Sequence, residues 1–206
     1  MSNNVAYSGP DLPADYASAR RVMVASQLRP QGVTDAYVLD AMGTVARENF
    51  VGSGQQAVAY GDRAVRLANG APMMPPAELG LLLTKLSPVP AERALVVGGG
   101  GAYAAALLRH IGLDVEIAED DDAADGDPYD LILIEGAIEQ LPPDLARRLA
   151  PGGRVGAAIV QDGVTRLAIG RGTNDPAGAK SVAFTSFAEA QVPLLPGSSS
   201  APAFVF

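Results

Sequence analysis

With 206 residues, 48% of them hydrophobic and 18% charged, the chain can bury a sizeable core and is too apolar to be disordered. A net charge of −8 argues against nucleic acid or an anionic membrane as partner, because both are bound through Lys/Arg clusters. Cysteine is absent, which excludes disulfides, thiolate nucleophiles and thiolate zinc sites and fits the cytoplasm.

No basic-plus-apolar leader and no apolar run of about 18 residues occurs, so neither export nor a membrane span is expected. Residues 1–13 are polar and contain proline, and they read as a loose arm. From Ala14 to Leu28, Tyr16, Ala19 and Met23 share one face with Arg20 and Arg21 opposite. That pattern predicts an amphipathic helix, stopped by Pro30 and Gly32. Thr34 and Asp35 cap a second helix that carries Val38, Leu39 and Met42 on one face. The stretches Ala46–Val51 and Ala59–Leu67 are irregular, with short extended pieces. Pro75 and Pro76 lead into a third helix, Ala77–Leu86, at positions where a missing N–H costs nothing.

Ala94–Val97 form a short buried strand, followed by Gly98–Gly101 and an Ala-rich helix. Val115–Ala118 read as a second strand ending in Glu119, Tyr129–Glu135 as a third, and Pro142–Leu149 as a short helix. PGGR (Pro151–Arg154) turns into a strand at Val155–Val160. Asp162-Gly163 marks a hairpin into Val164–Ile169, and Val182–Phe187 and Ala203–Phe206 close the chain as strands. This alternation predicts an α/β fold whose mainly parallel sheet gains antiparallel C-terminal strands.

The tetraglycine turn carries the chemistry. Glycines expose backbone N–H groups at a helix N-terminus and admit a ligand where a Cβ would clash. A dinucleotide fingerprint opening at Gly98 needs glycine at position 103, which is Tyr103. A Walker A loop needs Lys-Ser/Thr after its last glycine, and none is present. What remains, G-x-G-x-A over Gly98, Gly100 and Ala102, suits a methyltransferase-type nucleotide site; a purely structural turn reads the same way.

Taken together, the chain resembles the protein-L-isoaspartate O-methyltransferase family. The resemblance rests on Met23–Val51 (MVASQLRPQGVTDAYVLDAMGTVARENFV), Ala59–Asp62 (AYGD), Leu95–Leu108 (LVVGGGGAYAAALL), Pro128–Pro142 (PYDLILIEGAIEQLP) and Pro151–Arg154. It implies a Rossmann-like methyltransferase fold in one domain, with residues 1–90 as a helical cap on a core of 91–206. It further implies transfer of a methyl from S-adenosylmethionine to isoaspartyl carboxylates in damaged proteins. The cofactor would lie on Gly98, Gly99, Gly100, Gly101 and Ala102, with Glu119 on the ribose hydroxyls. Glu135, ending its strand near the ligand crevice, would also contact the cofactor, and Asp62 would face the substrate cleft. Such transfer needs no metal.

Departures from the family pattern are specific. Val96 replaces an acid that helps hold the methionine end of the cofactor, and Ala102 replaces the third glycine. Pro72, Met73 and Met74 stand for Thr-Ile-Ser, so Met74 puts a thioether, which donates no hydrogen bond, where a hydroxyl serves the reaction. Length departs further. Only the nine residues Asp120–Pro128 separate Glu119 from Tyr129. Fully extended they reach about 30 Å, and a helix alone averages about 11–12 residues. The family's third strand and its helices are therefore expected to be missing, leaving Val115–Ala118 at the sheet edge and the adenine open to water.

Other residues carry plainer readings. Asp120, Asp121, Asp122, Asp125 and Asp127 lack EF-hand spacing and read as a soluble connector guarding the edge strand. The lone histidine, His110, reads as a helix-end surface residue, and Met73 and Met74 as packing residues. Glu119 also suits a solvated strand end, Glu135 a capping role and Asp62 a turn. Two functions follow. One is a protein-L-isoaspartate O-methyltransferase with a degraded cofactor site, acting on proteins or peptides with isoaspartyl residues. The other is a catalytically inactive homologue that serves as a protein-binding module. An exposed edge strand would also invite a homodimer.

Overall fold

Asp15 starts the first helix, α1 (Tyr16–Met23), by accepting the Ser18 N–H at 2.9 Å. These and all following observations come from a computed structural model that describes residues 15–119, 126–174 and 180–195. The N-terminal arm, the strand expected at Ala203–Phe206 and the run Asp120–Asp125 lie outside the described residues. α1 continues through a five-residue π segment, Val24–Leu28, so the single helix expected there changes its winding part-way. Met23 and Leu28 both reach the core. α2 (Ala36–Thr44) buries Val38, Leu39, Ala41 and Met42. Two 3-10 turns, Arg47–Phe50 and Ser53–Val58, lead to a small hairpin of β1 (Val65–Arg66) and β2 (Pro72–Met73). α3 (Pro76–Leu86) has proline in its first turn, as expected, and ends at Ser87 with φ 47°.

The main sheet is built from β3 (Arg93–Val97), β4 (Asp114–Ala118), β5 (Tyr129–Ile138), β6 (Leu149–Gln161), β7 (Val164–Asn174) and β8 (Lys180–Glu189), with α4 (Ala102–Ile111) and α5 (Pro143–Arg147) between strands. Their order is β4-β3-β5-β6-β7-β8. The pairs from β4 to β6 are parallel and the last two are antiparallel. Asp162 (φ 52°) and Gly163 (φ 75°) make the two-residue β6–β7 turn that Asp-Gly predicts.

Alternation along β3 and β5 feeds two cores. Ala94, Val96, Leu131 and Leu133 join the N-terminal helices, α3 and α4 on one face. Leu95, Val97, Ile132 and Ile134 pack with Leu145 of α5 on the other. PGGR is not a turn ahead of the strand: Tyr129 pairs with Leu149 and Leu131 with Arg154, so Ala150–Gly153 bulge out within β6 and Arg154 is back in register. The bulge aims Arg154 at the C-terminus of α3, where it donates to the carbonyls of Leu86 and Ser87 and pairs with Glu92 at 2.8 Å. The helix expected to reach Leu149 stops at Arg147, because Leu149 already pairs in the sheet.

β4 is the sheet edge among the described residues, as the short connector requires. On the face where a further helix would pack, β4 presents Glu116. Its carboxylate accepts the Tyr129 hydroxyl at 2.7 Å and pairs with Arg93 at 2.8 Å. The Tyr129 ring lies against two guanidiniums, Arg93 at 5.0 Å and Arg148 at 4.9 Å. A polar cluster thus closes a face that an apolar helix would otherwise cover.

Candidate functional site

β3 is apolar to Val97, and the chain then turns through Gly98–Gly101 into α4. Gly98 has φ 116°; its N–H donates to the Ala118 carbonyl at 2.8 Å, and its carbonyl accepts the Gly101 N–H at 2.9 Å. From β3 the chain goes first to β4 on one side and then to β5 on the other. The turn therefore sits at a switch point at the carboxyl ends of parallel strands, where α/β sheets bind ligands.

One side of this turn is open. Ala102 and Glu119 are exposed, and the N–H groups of Gly99 and Gly100 take no partner among the described residues. The other side is covered by the protein's own chain. A Cβ on Gly98 would lie 2.9 Å from Leu195 Cδ1, and one on Gly99 would lie 2.8 Å from Asn69 Nδ2. A Cβ on Gly100 would run into the Pro72 carbonyl oxygen. Asn69 bonds directly to the turn, Nδ2 donating to the Gly99 carbonyl at 3.0 Å. Leu195 is set by backbone pairing across the end of β5: Ala137 N–H donates to Pro193 at 2.8 Å, and Leu195 N–H to Ala137 at 2.7 Å.

Below the turn lies a buried polar group of three residues. Glu135 is 0% exposed, and its Oε1 accepts the Met74 N–H at 2.7 Å while Oε2 has no partner among the described residues. Arg47, also 0% exposed, donates to the Met74 carbonyl at 2.5 Å and to the Ala59 carbonyl at 2.7 Å. Its guanidinium lies 4.8 Å from the centre of the Tyr103 ring. Burial pushes the Glu135 carboxyl up to about 7, against the pull of the Met74 N–H and the Arg47 charge. The same burial lowers Arg47 and raises the Tyr103 hydroxyl. Both polar groups of the Met74 backbone are thus held by charged side chains from different parts of the chain.

The residues singled out from sequence separate into three places. Gly98–Gly101, Met74 and Glu135 come together. Glu135 is not at a solvent-facing strand end: β5 runs on to Ile138, and its carboxyl points under the turn. Ala102 and Glu119 form the open rim. Asp62 is exposed in a cleft of about 600 Å³, lined also by Pro75, Glu78, Thr165 and Gln191. Met73 and Met74 are packing residues, both 0% exposed. His110 lies in the last turn of α4 and meets Asp40 of α2 at 2.9 Å. Sequence reasoning missed Arg47, Tyr103 and Leu195. Arg47 had one signal, a charge amid the apolar neighbours Val45, Ala46 and Phe50; Tyr103 was noted only as the residue that breaks the dinucleotide pattern.

The profile of the protein-L-isoaspartate(D-aspartate) O-methyltransferase family matches residues 19–118. The protein-L-isoaspartate O-methyltransferase of Methylorubrum populi is 36% identical over 165 residues, covering 67% of this chain and 78% of that protein. The chain belongs to the protein-L-isoaspartate O-methyltransferase family. A family member from Koribacter versatilis is 31% identical, covering 72% of this chain and 79% of its own. A Plasmodium falciparum structure described as a protein-L-isoaspartate O-methyltransferase, in complex with S-adenosyl-L-homocysteine, shares the fold. Its TM-score is 0.67 at 16% identity, over 88% of this chain and 98% of that one.

The Methylorubrum populi match counts 165 positions but takes in 67% of 206 residues, about 138, so about 27 positions of this family member lack a counterpart here. That length suits a helix and strand with their connections. The family profile stops matching at Ala118, the last residue of β4.

Proposed function

We propose that this chain performs its family's reaction, moving a methyl from S-adenosylmethionine to the side-chain carboxylate of isoaspartyl residues in proteins or peptides. What carries the reading is 36% identity over 78% of the Methylorubrum populi protein-L-isoaspartate O-methyltransferase. The open rim of the turn fits the nucleoside part of the cofactor: Glu119 is exposed and suits the ribose hydroxyls, and half-buried Gly99, whose N–H takes no partner among the described residues, lies just ahead of the α4 N-terminus. Toward Glu135 the fit is different. Val96 is apolar and 0% exposed, and Leu195 and Pro72 cover the glycines, so binding there rests on these two segments and not on a strand-end acid.

When bound, S-adenosylmethionine supplies an electrophilic methyl. The protein's part is orientation and exclusion of water. An isoaspartyl carboxylate is already ionised at neutral pH, so no base is needed. Met73 and Met74 pack into the core behind this wall and help to hold it in place. Asp62, in the cleft beside Pro75, would meet the peptide flanking the damaged residue.

Calorimetric titration with S-adenosylhomocysteine should give micromolar binding that Glu119→Ala weakens about tenfold, about 1.4 kcal/mol. An isoaspartyl peptide should acquire a methyl ester that its aspartyl twin does not. Binding without ester formation would leave a ligand-binding homologue; failure of both would leave the protein-binding module. Among the described residues no helix is long and apolar enough to cross a membrane, and a cytoplasmic location rests on the lack of cysteine. A second copy pairing along β4 would make the homodimer, which sedimentation velocity reads directly.

A further inference from the structure

We propose that Glu135 is a positioning residue, which acts through the Met74 backbone to hold the Pro72–Met74 segment against the Gly98–Gly101 turn. This rests on the methyltransferase reading but is tested separately from it. Met74 is where the family's hydroxyl would stand, and its own side chain can make no hydrogen bond of consequence. The segment's position is therefore set by its backbone. Glu135 takes the Met74 N–H at 2.7 Å and Arg47 takes the Met74 carbonyl at 2.5 Å. The preceding Pro72 carbonyl meets Gly100, and Asn69 bonds to Gly99. Immediately after it, Pro75 lines the cleft that holds Asp62 and Glu78. One carboxylate thus fixes the wall between the glycine turn and that cleft.

A buried carboxyl with one oxygen bonded and the other without a partner among the described residues is a costly way to hold a single amide. Packing alone would be served as well by leucine. The titratable groups around Glu135 are Arg47, from the 3-10 turn, and Tyr103 of α4, which stacks on Arg47. Tyr60 acts more remotely through the same arginine. Burial lowers Arg47 and raises the Tyr103 hydroxyl, while the Glu135 carboxyl is pushed up to about 7, so the carboxyl is the member of the group placed to change its charge near neutral pH. As a carboxylate it accepts the Met74 N–H more strongly than as a neutral acid.

The test compares wild type with Glu135→Gln, which can still accept the Met74 N–H, and Glu135→Leu, which cannot. Hydrogen exchange should find the Met74 amide protected in wild type and Glu135→Gln, and exchanging at least tenfold faster in Glu135→Leu. With an isoaspartyl peptide, Glu135→Leu should raise KM at least fivefold with kcat changed less, and Glu135→Gln should restore it. The wild-type kcat/KM should rise with pH through an inflection near 7 that Glu135→Gln lacks. Equal Met74 protection in all three proteins overturns the proposal. If Glu135→Leu does not fold, an inflection kept by Glu135→Gln overturns it. If wild type methylates no peptide, the methyltransferase reading fails, and Met74 exchange alone decides: loss in Glu135→Leu with retention in Glu135→Gln upholds the clamp.

Discussion

Glu135 makes the protein's stability depend on pH in an unusual direction for an acid. Its carboxyl, ordinarily near 4.5, is raised to about 7 by burial. Below about 4.5 both folded and unfolded chains hold the proton; between there and about 7 the folded chain holds more. Stability from this group is therefore complete at low pH and is lost as pH rises through 7. Glu135→Gln should remove that loss, so its thermal midpoint should exceed that of wild type by at least about 5 °C at pH 8 and converge with it near pH 5. A scan of midpoint against pH for the two proteins checks this. Arg47 is the counterpart. Arg47→Met should cost about 3–5 kcal/mol in denaturant unfolding, since the Ala59 and Met74 carbonyls lose their donor and Glu135 loses its nearest positive charge. Neither role could be read from sequence. A lone glutamate ending an apolar run and a lone arginine in an irregular stretch name no partners, and their partner here is the backbone of a third segment.

Between elements, the decisive contact is the β1–β2 hairpin on the glycine turn. Gly100→Ala should destabilise the protein by about 1–3 kcal/mol, because the new methyl meets the Pro72 carbonyl, a backbone atom that cannot swing aside. Met74 amide exchange should quicken in the same variant, whereas exchange in β6 and β7 should not. The helices and strands themselves were largely legible: α3, β3 and β4 lie within a residue of the bounds that periodicity and proline placement predict, and α2 and α4 form where helices were expected. Misreadings cluster where tertiary pairing overrode local signals. PGGR looks like a turn, yet strand pairing at Leu149 and at Arg154 absorbs Ala150–Gly153 as a bulge. Leu149 looks like the end of a helix, yet it pairs with Tyr129. Tyr129 is central to the deleted side of the sheet, and Tyr129→Ala should cost about 3–5 kcal/mol in denaturant unfolding by emptying the space between Arg93 and Arg148.

At the scale of the molecule, about 27 residues of a 36% identical relative have no place here, and the described sheet ends at β4. On the proposed reading, the unit for which the nine residues between Glu119 and Tyr129 leave no room would flank the nucleoside beside Glu119. This chain should therefore bind S-adenosylhomocysteine at least tenfold more weakly than the Methylorubrum populi family member, measured by calorimetry under identical conditions. Equal affinities would mean that other residues shield the adenine. The sheet survives the loss because Glu116, Arg93, Arg148 and Tyr129 satisfy one another on the uncovered face.

Sequence alone determined the family, the order of elements and the missing unit, because these depend on short-range periodicity, motif spacing and the length of chain between two points. Tertiary structure alone decided what lies on each side of the glycine turn. Leu195, Asn69 and Pro72 reach it from sequence distances of up to 97 positions, and Glu135 and Arg47 meet at Met74 from opposite directions along the chain. Contacts of that kind come from how the sheet, the hairpin and the returning segment after β8 pack together, which no local pattern records.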